Sequence, residues 1–349
     1  MRVLQLIDSL DAGGAERVAV NLANALSHQI DKSFLVTTRK EGMLKKELFS
    51  EVGYLFLRRK RTIDPSAVMR LRSFVKRNRI TAIHAHSTSF FLATQVKMIY
   101  PKVRLVWHTH YGNRVITSQE QNKALLFCSR YFNSIVTVNE ELKQWCLDTL
   151  KTKSVIYIPN FVPSERVLRL EMEAREKRIV CVANLKEPKN HLNLLRAFKK
   201  VHAQFPEWEL CLVGRDFNDA YSKAVTLFCE DHQMGDVVQR MGQRDDVEHI
   251  LSKALIGVLS SDNEGLPMSL LEYGAAGLAV VTTNVGQCAA VVNGNGKIVP
   301  PNDSDTLAKA LIVYISDEEL RKQKGDGFRR HISENYTTGA IIPRLMELY

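Results

Sequence analysis

Two glutamates separated by seven residues flank a loop that leads into a predicted helix. The residues between Glu264 and Glu272 are Gly265, Leu266, Pro267, Met268, Ser269, Leu270 and Leu271. Pro267 suits a first helical turn, so the three residues after it have backbone amides available to a diphosphate. Carboxylates at the two glutamate positions can accept hydrogen bonds from sugar hydroxyls on one side and from a ribose diol on the other. The spacing therefore predicts two binding roles within one loop.

A pair of glycines, Gly13 and Gly14, follows the first apolar run and precedes a helical pattern. Glycine lacks a Cβ, so backbone amides at this helix start can approach a phosphate closely, and the helix dipole favours the negative charge. A tight strand-to-helix turn without a ligand accounts for the same pattern. The spacing differs from the six-residue dinucleotide fingerprint, which disfavours a nicotinamide cofactor.

Histidines occur in two closely spaced pairs, each at the end of an apolar run. His84 and His86 precede Ser87, and His108 and His110 form the second pair. Residues two apart in a strand point to the same face, so either pair has the spacing of metal ligands. No carboxylate or thiolate is clearly placed to complete a metal site. Polar side chains at the rim of a cleft account for the same histidines.

Short apolar runs alternate with helical patterns along the whole chain, which is typical of a parallel α/β fold. The predicted strands cover residues 3–7, 33–37, 82–85, 105–107, 134–138 and 155–158, then 179–183, 209–213, 237–241, 256–259 and 279–282. Two prolines after a strand, within residues 158–163, mark a linker. We therefore predict two doubly wound domains, 1–163 and 164–330, that face each other across a cleft outside the carboxyl ends of their strands.

The composition is that of a folded globular protein, since 45% of the 349 residues are hydrophobic and 25% are charged. The chain opens on a strand-like run without a secretion signal and has no run of 18 apolar residues. We therefore expect a cytoplasmic protein without a membrane-spanning helix. Its six cysteines are scattered singly, and we expect them to be reduced core residues.

The net charge of +10 comes from the first half of the chain, where residues 1–163 hold 25 Lys and Arg against 12 Asp and Glu. The densest basic stretches are residues 58–61 and the set Arg70, Arg72, Lys76, Arg77 and Arg79. A basic face suits an anionic membrane surface or a pyrophosphate-bearing acceptor, although a solvated helix face has the same composition. Nucleic acid ranks lower as a partner, because no aromatic interleaving or nucleic-acid module accompanies these charges.

The glutamate pair with Gly-Leu-Pro between its members resembles the signature of the large retaining family 4 of glycosyltransferases. Further motifs in that family's order are Gly13-Gly14-Ala15-Glu16-Arg17, His84-Ala85-His86-Ser87, His108-Thr109-His110, Pro159-Asn160 and Leu212-Val213-Gly214. The resemblance covers nearly the whole chain. It implies the two-domain GT-B fold, a nucleoside diphosphate sugar as donor, and no metal ion or other cofactor. It also implies a helix over residues 331–349 that crosses back onto the first domain.

The resemblance assigns donor-site roles to individual residues. It implies that Glu264 contacts the donor sugar as a catalytic carboxylate and that Glu272 binds the ribose. Lys189 matches the lysine that neutralises the diphosphate. His110 matches a catalytic histidine that faces the sugar, and Gly14 matches a glycine near the phosphates.

One position departs from the family pattern, because Asn184 replaces the usual arginine five residues before Lys189. Lys186 is a candidate substitute for that charge. Gly242 resembles part of the loop that lines the base, which by family habit is uracil. The residues expected on the acceptor side are Gly13, His84, His86 and Ser87.

By resemblance, a hexose-type sugar moves from a UDP-sugar to a glycan or lipid-linked acceptor with retention of configuration. Cytoplasmic enzymes of this kind assemble bacterial surface polysaccharides such as capsule or lipopolysaccharide. Stabilisation of the leaving diphosphate supplies most of the catalysis, with a double displacement through a carboxylate as the rival mechanism. A non-catalytic nucleotide-sugar-binding homologue, a sugar-nucleotide 2-epimerase and a phosphorylase of the same fold are the alternative functions.

Overall fold

The computed structural model describes residues 1–110, 122–152, 154–164 and 175–349. These residues form two compact units, one made of Met1–Phe161 with Thr338–Tyr349 and the other of Val162–Thr337. The first domain boundary predicted from the sequence lies at 163/164, and the predicted final segment includes residues 331–337. In the structure those seven residues lie in the second unit.

The first unit contains a seven-stranded parallel sheet in the order β3-β2-β1-β4-β5-β6-β7. Its strands are β1 (Arg2–Ile7), β2 (Lys32–Thr37), β3 (Gly53–Phe56), β4 (Ala82–His86), β5 (Arg104–Thr109), β6 (Ser134–Thr137) and β7 (Val155–Tyr157). Its helices are α1 (Gly14–Ser27), α2 (Pro65–Arg77), α3 (Phe90–Ile99), α4 (Lys123–Cys128) and α5 (Glu140–Thr149). The central strands are buried along almost their whole length, as expected where helices cover both faces of a parallel sheet.

The second unit contains a six-stranded parallel sheet in the order β10-β9-β8-β11-β12-β13. Its strands are β8 (Arg178–Val182), β9 (Glu209–Val213), β10 (Val238–Gly242), β11 (Ile256–Leu259), β12 (Ala279–Thr283) and β13 (Gly296–Val299). Its helices are α6 (His191–His202), α7 (Ala220–Asp231), α8 (Val247–Lys253), α9 (Met268–Ala275), α10 (Cys288–Val292), α11 (Ser304–Ser316) and α12 (Glu318–Asn335). Both units therefore have a doubly wound, Rossmann-like topology.

The C-terminal helix expected over residues 331–349 is instead two helices. Helix α12 continues to Asn335, and α13 (Thr338–Met346) begins after Tyr336 and Thr337. Thr337 pairs with Val162 in an isolated bridge, so its backbone is drawn out of the helix. Helix α13 packs on α1 of the first unit through its buried apolar side chains.

All six cysteine side chains are buried, in agreement with the core role expected for them. Within the described ranges, every helix is too short or too polar to span a bilayer.

Strands β8 and β11 separate toward their carboxyl ends, and one phenol bridges the gap. The Tyr273 hydroxyl accepts a hydrogen bond from the Val182 amide at 2.6 Å and donates to the Val258 carbonyl at 3.2 Å. A Cβ at Gly257 would lie 2.6 Å from the Tyr273 ring, so only glycine leaves room for the ring there. Tyr273 therefore ties the two strands together at the point where the strand order reverses.

Candidate functional site

The loops after β8 and β11 bring Lys189 and Glu264 together in the second unit. Ligands of open parallel sheets bind where the strand order reverses, and these two strands flank that point. Lys189 Nζ lies 2.5 Å from Glu264 Oε1, and the two side chains are 22% and 9% exposed. A lysine and a carboxylate so close and so little hydrated form a preorganised polar site rather than a loose surface pair.

Hydroxyl hydrogen bonds hold the two loops in place. Ser261 Oγ donates to Glu264 Oε1 at 2.6 Å. Ser260 Oγ donates to the Lys189 carbonyl at 3.1 Å, and Thr283 Oγ1 donates to the Ser261 carbonyl at 2.6 Å. The ion pair is therefore fixed from both strands and from neighbouring β12.

The loop after β12 closes against the backbone of the Glu264 loop. Gly286 has φ +50°, and a Cβ there would lie 2.1 Å from the Glu264 carbonyl oxygen. The Gln287 amide donates to the Gly265 carbonyl at 3.0 Å. Gly286 therefore permits a close backbone approach that supports the position of Glu264.

Helix α9 begins at Met268, with Pro267 as its N-cap residue rather than inside its first turn as predicted. The first amides of a helix have no intrahelical acceptor, and its dipole favours an anion at this end. Met268, Ser269 and Leu270 supply those amides, as the sequence predicted, from largely buried positions. Glu272 lies one turn further along and is partly exposed.

Asn184 has a structural role at the position where the family places an arginine. Its Oδ1 accepts a hydrogen bond from the Arg215 amide at 2.9 Å, which joins the loops after β8 and β9. Lys186 Nζ and Arg215 Cζ lie 5.9 and 4.9 Å from the Phe217 ring centroid. Two cations therefore flank one aromatic ring, 39% exposed, beside the loop that carries Lys189.

The predicted base-lining glycine ends strand β10 in a left-handed conformation, with φ +65° at Gly242. Its carbonyl accepts a hydrogen bond from the Gly214 amide at 2.9 Å. A Cβ at Gly214 would lie 2.1 Å from the Ala183 carbonyl oxygen, so the loops after β8, β9 and β10 meet through backbone atoms.

In the first unit, Gly13 is the N-cap of α1 and Gly14 is its first residue. A Cβ at Gly13 would lie 2.4 Å from Glu16 Oε2. The glycine pair therefore begins a helix, as predicted, and Gly13 leaves space for the Glu16 carboxylate.

Four of the five histidines of the first unit form one cluster with Gln5 and Tyr349, and His84 and His86 are fully buried rather than at a rim. Ser87 is also buried, with φ +50°. The ring contacts are His84 Nε2 to His108 Nδ1 at 3.1 Å and His86 Nδ1 to His110 Nε2 at 3.0 Å. The rings of His108 and His110 are stacked, with centroids 4.0 Å apart.

Burial keeps these imidazoles neutral. It lowers the pKa of His84 and of His110 to about 3, with the neighbouring His110 adding to the shift of His84. Burial also lowers the pKa values of His86 and His108 well below 6.5. Neutral imidazole is the form that binds metals, and one ligand nitrogen each from His84, His86 and His108 lies within 4.8 Å of the others. Both ring nitrogens of His84 and of His86 are, however, already in hydrogen bonds.

Several residues of these clusters were not predicted from the sequence. Ser261, Tyr273 and Gly286 support the Glu264 loop, and Gln5 and Tyr349 terminate the histidine cluster. Gln5 could have been identified from the sequence, because it is a polar residue in the middle of an apolar strand. The other four have no local pattern that separates them from turn or core residues.

Two family models match the chain in succession. Residues 12–166 match Glycosyltransferase Family 4, and residues 169–331 match Glycosyl transferases group 1. An uncharacterized glycosyltransferase of Haemophilus influenzae is 26% identical over 350 residues, covering 95% of this chain and 94% of the relative. The O-antigen biosynthesis glycosyltransferase WbnH of Escherichia coli is 21% identical over 344 residues, covering 95% and 96%.

A solved structure shares the fold over its full length. Alr3699/HepE of Anabaena, in complex with UDP and glucose, superimposes with a TM-score of 0.84 at 15% identity, covering 99% of this chain and 98% of that one. Both Rossmann-like units are thus those of a GT-B protein. With both halves matched in order, this chain belongs to the family 4 glycosyltransferases of the GT-B fold.

Proposed function

We propose that this glycosyltransferase moves a hexose from UDP-hexose to a glycan or lipid-linked acceptor, with retention, during assembly of a bacterial surface polysaccharide such as capsule or lipopolysaccharide. The observation that carries the proposal is the Lys189–Glu264 pair at the point where the strand order of the second sheet reverses. The name of the O-antigen relative and the nucleotide bound to the Anabaena protein support the polysaccharide and the UDP-sugar respectively.

In this proposal the diphosphate binds at the amino end of α9. Backbone amides of that helix start and the Lys189 ammonium meet the negative charge that develops on the leaving group. These groups replace a divalent cation, so the proposed reaction has no metal requirement. Lys186 and Arg215 are the candidate cations that compensate for Asn184.

The carboxylates have separate positions and separate proposed roles. Glu264, held by Ser261, accepts hydrogen bonds from the donor sugar's hydroxyls. Glu272, one turn into α9, accepts from the ribose diol, and the turn at Gly242 lines the uracil. By resemblance to the family, His110 is the proposed histidine contact of the sugar.

Retention follows if the acceptor oxygen attacks from the face that the diphosphate leaves. The bond from the anomeric carbon to the phosphate oxygen breaks, and its electron pair remains on that oxygen. The acceptor oxygen bonds to the anomeric carbon, and its proton passes to the departing phosphate. This route needs no covalent enzyme intermediate. Inverted configuration in the product, read by NMR of the anomeric proton, would exclude it.

The proposal is tested with a thermal-shift panel of UDP, GDP, ADP and their sugar conjugates, with and without magnesium. We expect uridine nucleotides to raise the unfolding temperature without magnesium, because a ligand of the native state stabilises it. Glu272→Gln should weaken UDP binding by about 1.5–3 kcal/mol, the typical contribution of a hydrogen bond to a charged group.

The control variant for that panel is Glu230→Gln, which alters an exposed carboxylate on α7 of the same unit. Equal UDP affinity in both variants and the wild type would remove Glu272 from the site. Binding without sugar transfer would favour the non-catalytic homologue. Turnover of the nucleotide sugar without an acceptor would favour the 2-epimerase.

We also propose that the basic surface of α2 holds the enzyme peripherally on an anionic membrane. Arg70 and Arg77 are exposed on this helix with Met69, and Ile63 just before it is 67% exposed. Arg59 does not belong to this surface, because its buried guanidinium donates to the Arg61 and Thr62 carbonyls. Charge and exposed apolar side chains together are the composition of an interfacial helix.

Vesicle sedimentation tests this surface. Wild-type protein should bind vesicles that contain phosphatidylglycerol at low salt and dissociate as salt screens the charges. Arg70→Glu with Arg77→Glu should weaken binding at least about thirtyfold, since each basic residue contributes about 1 kcal/mol. Lys322→Glu with Arg330→Glu, exposed on α12, makes the same charge change in the other unit. Equal loss in both double variants would contradict a specific α2 surface.

A further inference from the structure

The histidine cluster of the first unit contains two hydrogen-bonded chains, one of which begins at a glutamine. Gln5 lies on β1 beside His84 of β4, and both side chains are fully buried. A neutral imidazole has one N–H donor and one bare nitrogen acceptor. The direction of each chain therefore depends on the group at its end.

The first chain begins at the Gln5 carbonyl oxygen. His86 Nε2 lies 2.8 Å from Gln5 Oε1, and a carbonyl oxygen only accepts, so His86 carries its proton on Nε2. His86 Nδ1 is then bare and accepts from His110 Nε2 at 3.0 Å. The proton of His110 is thus on Nε2, and its Nδ1 is a bare acceptor. That buried Nδ1 has no partner among the residues that the structure describes.

The second chain begins at Tyr349, whose hydroxyl lies 2.5 Å from His84 Nδ1. His84 Nε2 lies 3.1 Å from His108 Nδ1. A phenol both donates and accepts, and the buried Gln5 Nε2 has no partner among the described residues, so this chain lacks the acceptor-only end that directs the first chain.

We propose that Gln5 is a positioning residue that fixes the tautomers of His86 and His110 and so makes the Nδ1 of His110 a hydrogen-bond acceptor. The carbonyl of the glutamine directs this first chain. The chain ends in the His110 ring, which is stacked on the His108 ring.

The functional consequence rests on the proposed contact between His110 and the donor sugar. A bare Nδ1 accepts a hydrogen bond from a sugar hydroxyl and cannot donate a proton to the substrate. His110 therefore orients a hydroxyl rather than acting as a general acid.

The tautomers are measured in ligand-free protein, labelled with 15N-histidine, by long-range 1H–15N correlation. We expect pure Nε2–H tautomers for His86 and His110 in the wild type. Gln5→Met should mix the tautomers of that pair, because it removes the carbonyl acceptor. Tyr349→Phe removes a hydroxyl from the second chain only, so it should leave the tautomers of His86 and His110 unchanged.

A proton on His110 Nδ1 in the wild type would overturn the proposal, and so would single Nε2–H tautomers retained in Gln5→Met. Because the spectra need no substrate, this result is independent of whether UDP-hexose is the donor. In the transfer assay, Gln5→Met should lower kcat/KM about two- to tenfold, the value of one neutral hydrogen bond. Unchanged kcat/KM with mixed tautomers would remove the link between His110 and the sugar. If Gln5→Met instead loses thermal stability together with the native histidine signals, and shows no mixture of tautomers at His86 and His110, Gln5 has only a structural role.

Discussion

Lys189→Met should lower kcat by about 10²–10³, the typical loss when one preorganised donor to a developing anion is removed. In the proposed reaction the diphosphate gains negative charge as the anomeric bond breaks, and Lys189 is the cation paired with Glu264 in the loop before α9. Steady-state transfer from a UDP-sugar measures the effect. A variant that retains wild-type kcat would contradict leaving-group stabilisation by this lysine.

Two further variants distinguish the effect of the Lys189 charge on the reaction from its effect on the stability of the fold. Lys177→Met removes an exposed ion pair with Glu207 in the same unit and should change kcat little, because exposed pairs contribute about 0–1 kcal/mol. Lys189→Met leaves Glu264 without its cation, so the variant should also be less stable. Adding Glu264→Gln should restore the stability but not the activity. Recovery of both together would mean that Lys189 serves only to neutralise Glu264.

Acidification from pH 7 to pH 5 should destabilise the first unit by roughly 2 kcal/mol for each histidine of the buried cluster. In the unfolded chain these imidazoles bind protons as the pH falls through 6.5, whereas burial lowers the folded-state pKa of His84 and His110 to about 3. The unfolded state therefore binds more protons between these values. The stabilisation is complete above pH 6.5 and is lost as the pH falls toward 3.

Urea unfolding at several pH values tests this dependence. In a Trp208→Phe background, fluorescence reports Trp107 and Trp145, both in the first unit. His84→Asn should reduce the slope of stability against pH by about one proton, or about 1.4 kcal/mol per pH unit. Val106→Ala, which empties buried space on the same sheet, should lower stability equally at every pH. If the unfolding free energy depends on pH with the same slope in wild type and in His84→Asn, a lowered pKa of His84 in the folded state is contradicted.

Much of the architecture was predictable from the sequence, because buried parallel strands consist of short runs of consecutive apolar residues. The exceptions are the edge strands β3 and β13. Gly53–Phe56 and Gly296–Val299 each begin with glycine and are only partly buried, so their composition does not separate them from loops. The break at Tyr336 was missed because the bridge between Val162 and Thr337 joins distant parts of the chain.

The candidate site was predictable as residues but not as contacts. Glu264 and Lys189 are recognisable from their motifs, yet their ion pair joins positions 75 residues apart. The histidines were expected as rim groups, and the structure buries His84, His86 and His108. Burial of a polar side chain depends on its partners, and for His84 the partner is Tyr349, on a segment 265 residues away. A local pattern cannot contain that information.

The fit of Tyr273 against Gly257 limits how this sequence can change over evolutionary time. Any side chain at position 257 overlaps the ring, and a smaller residue at 273 removes the hydroxyl that joins Val182 to Val258. Neither position can drift alone without loosening the strands that carry the Lys189 and Glu264 loops. We therefore expect the two positions to covary among relatives, and a change of donor preference to arise first in the loops that this pair leaves unconstrained.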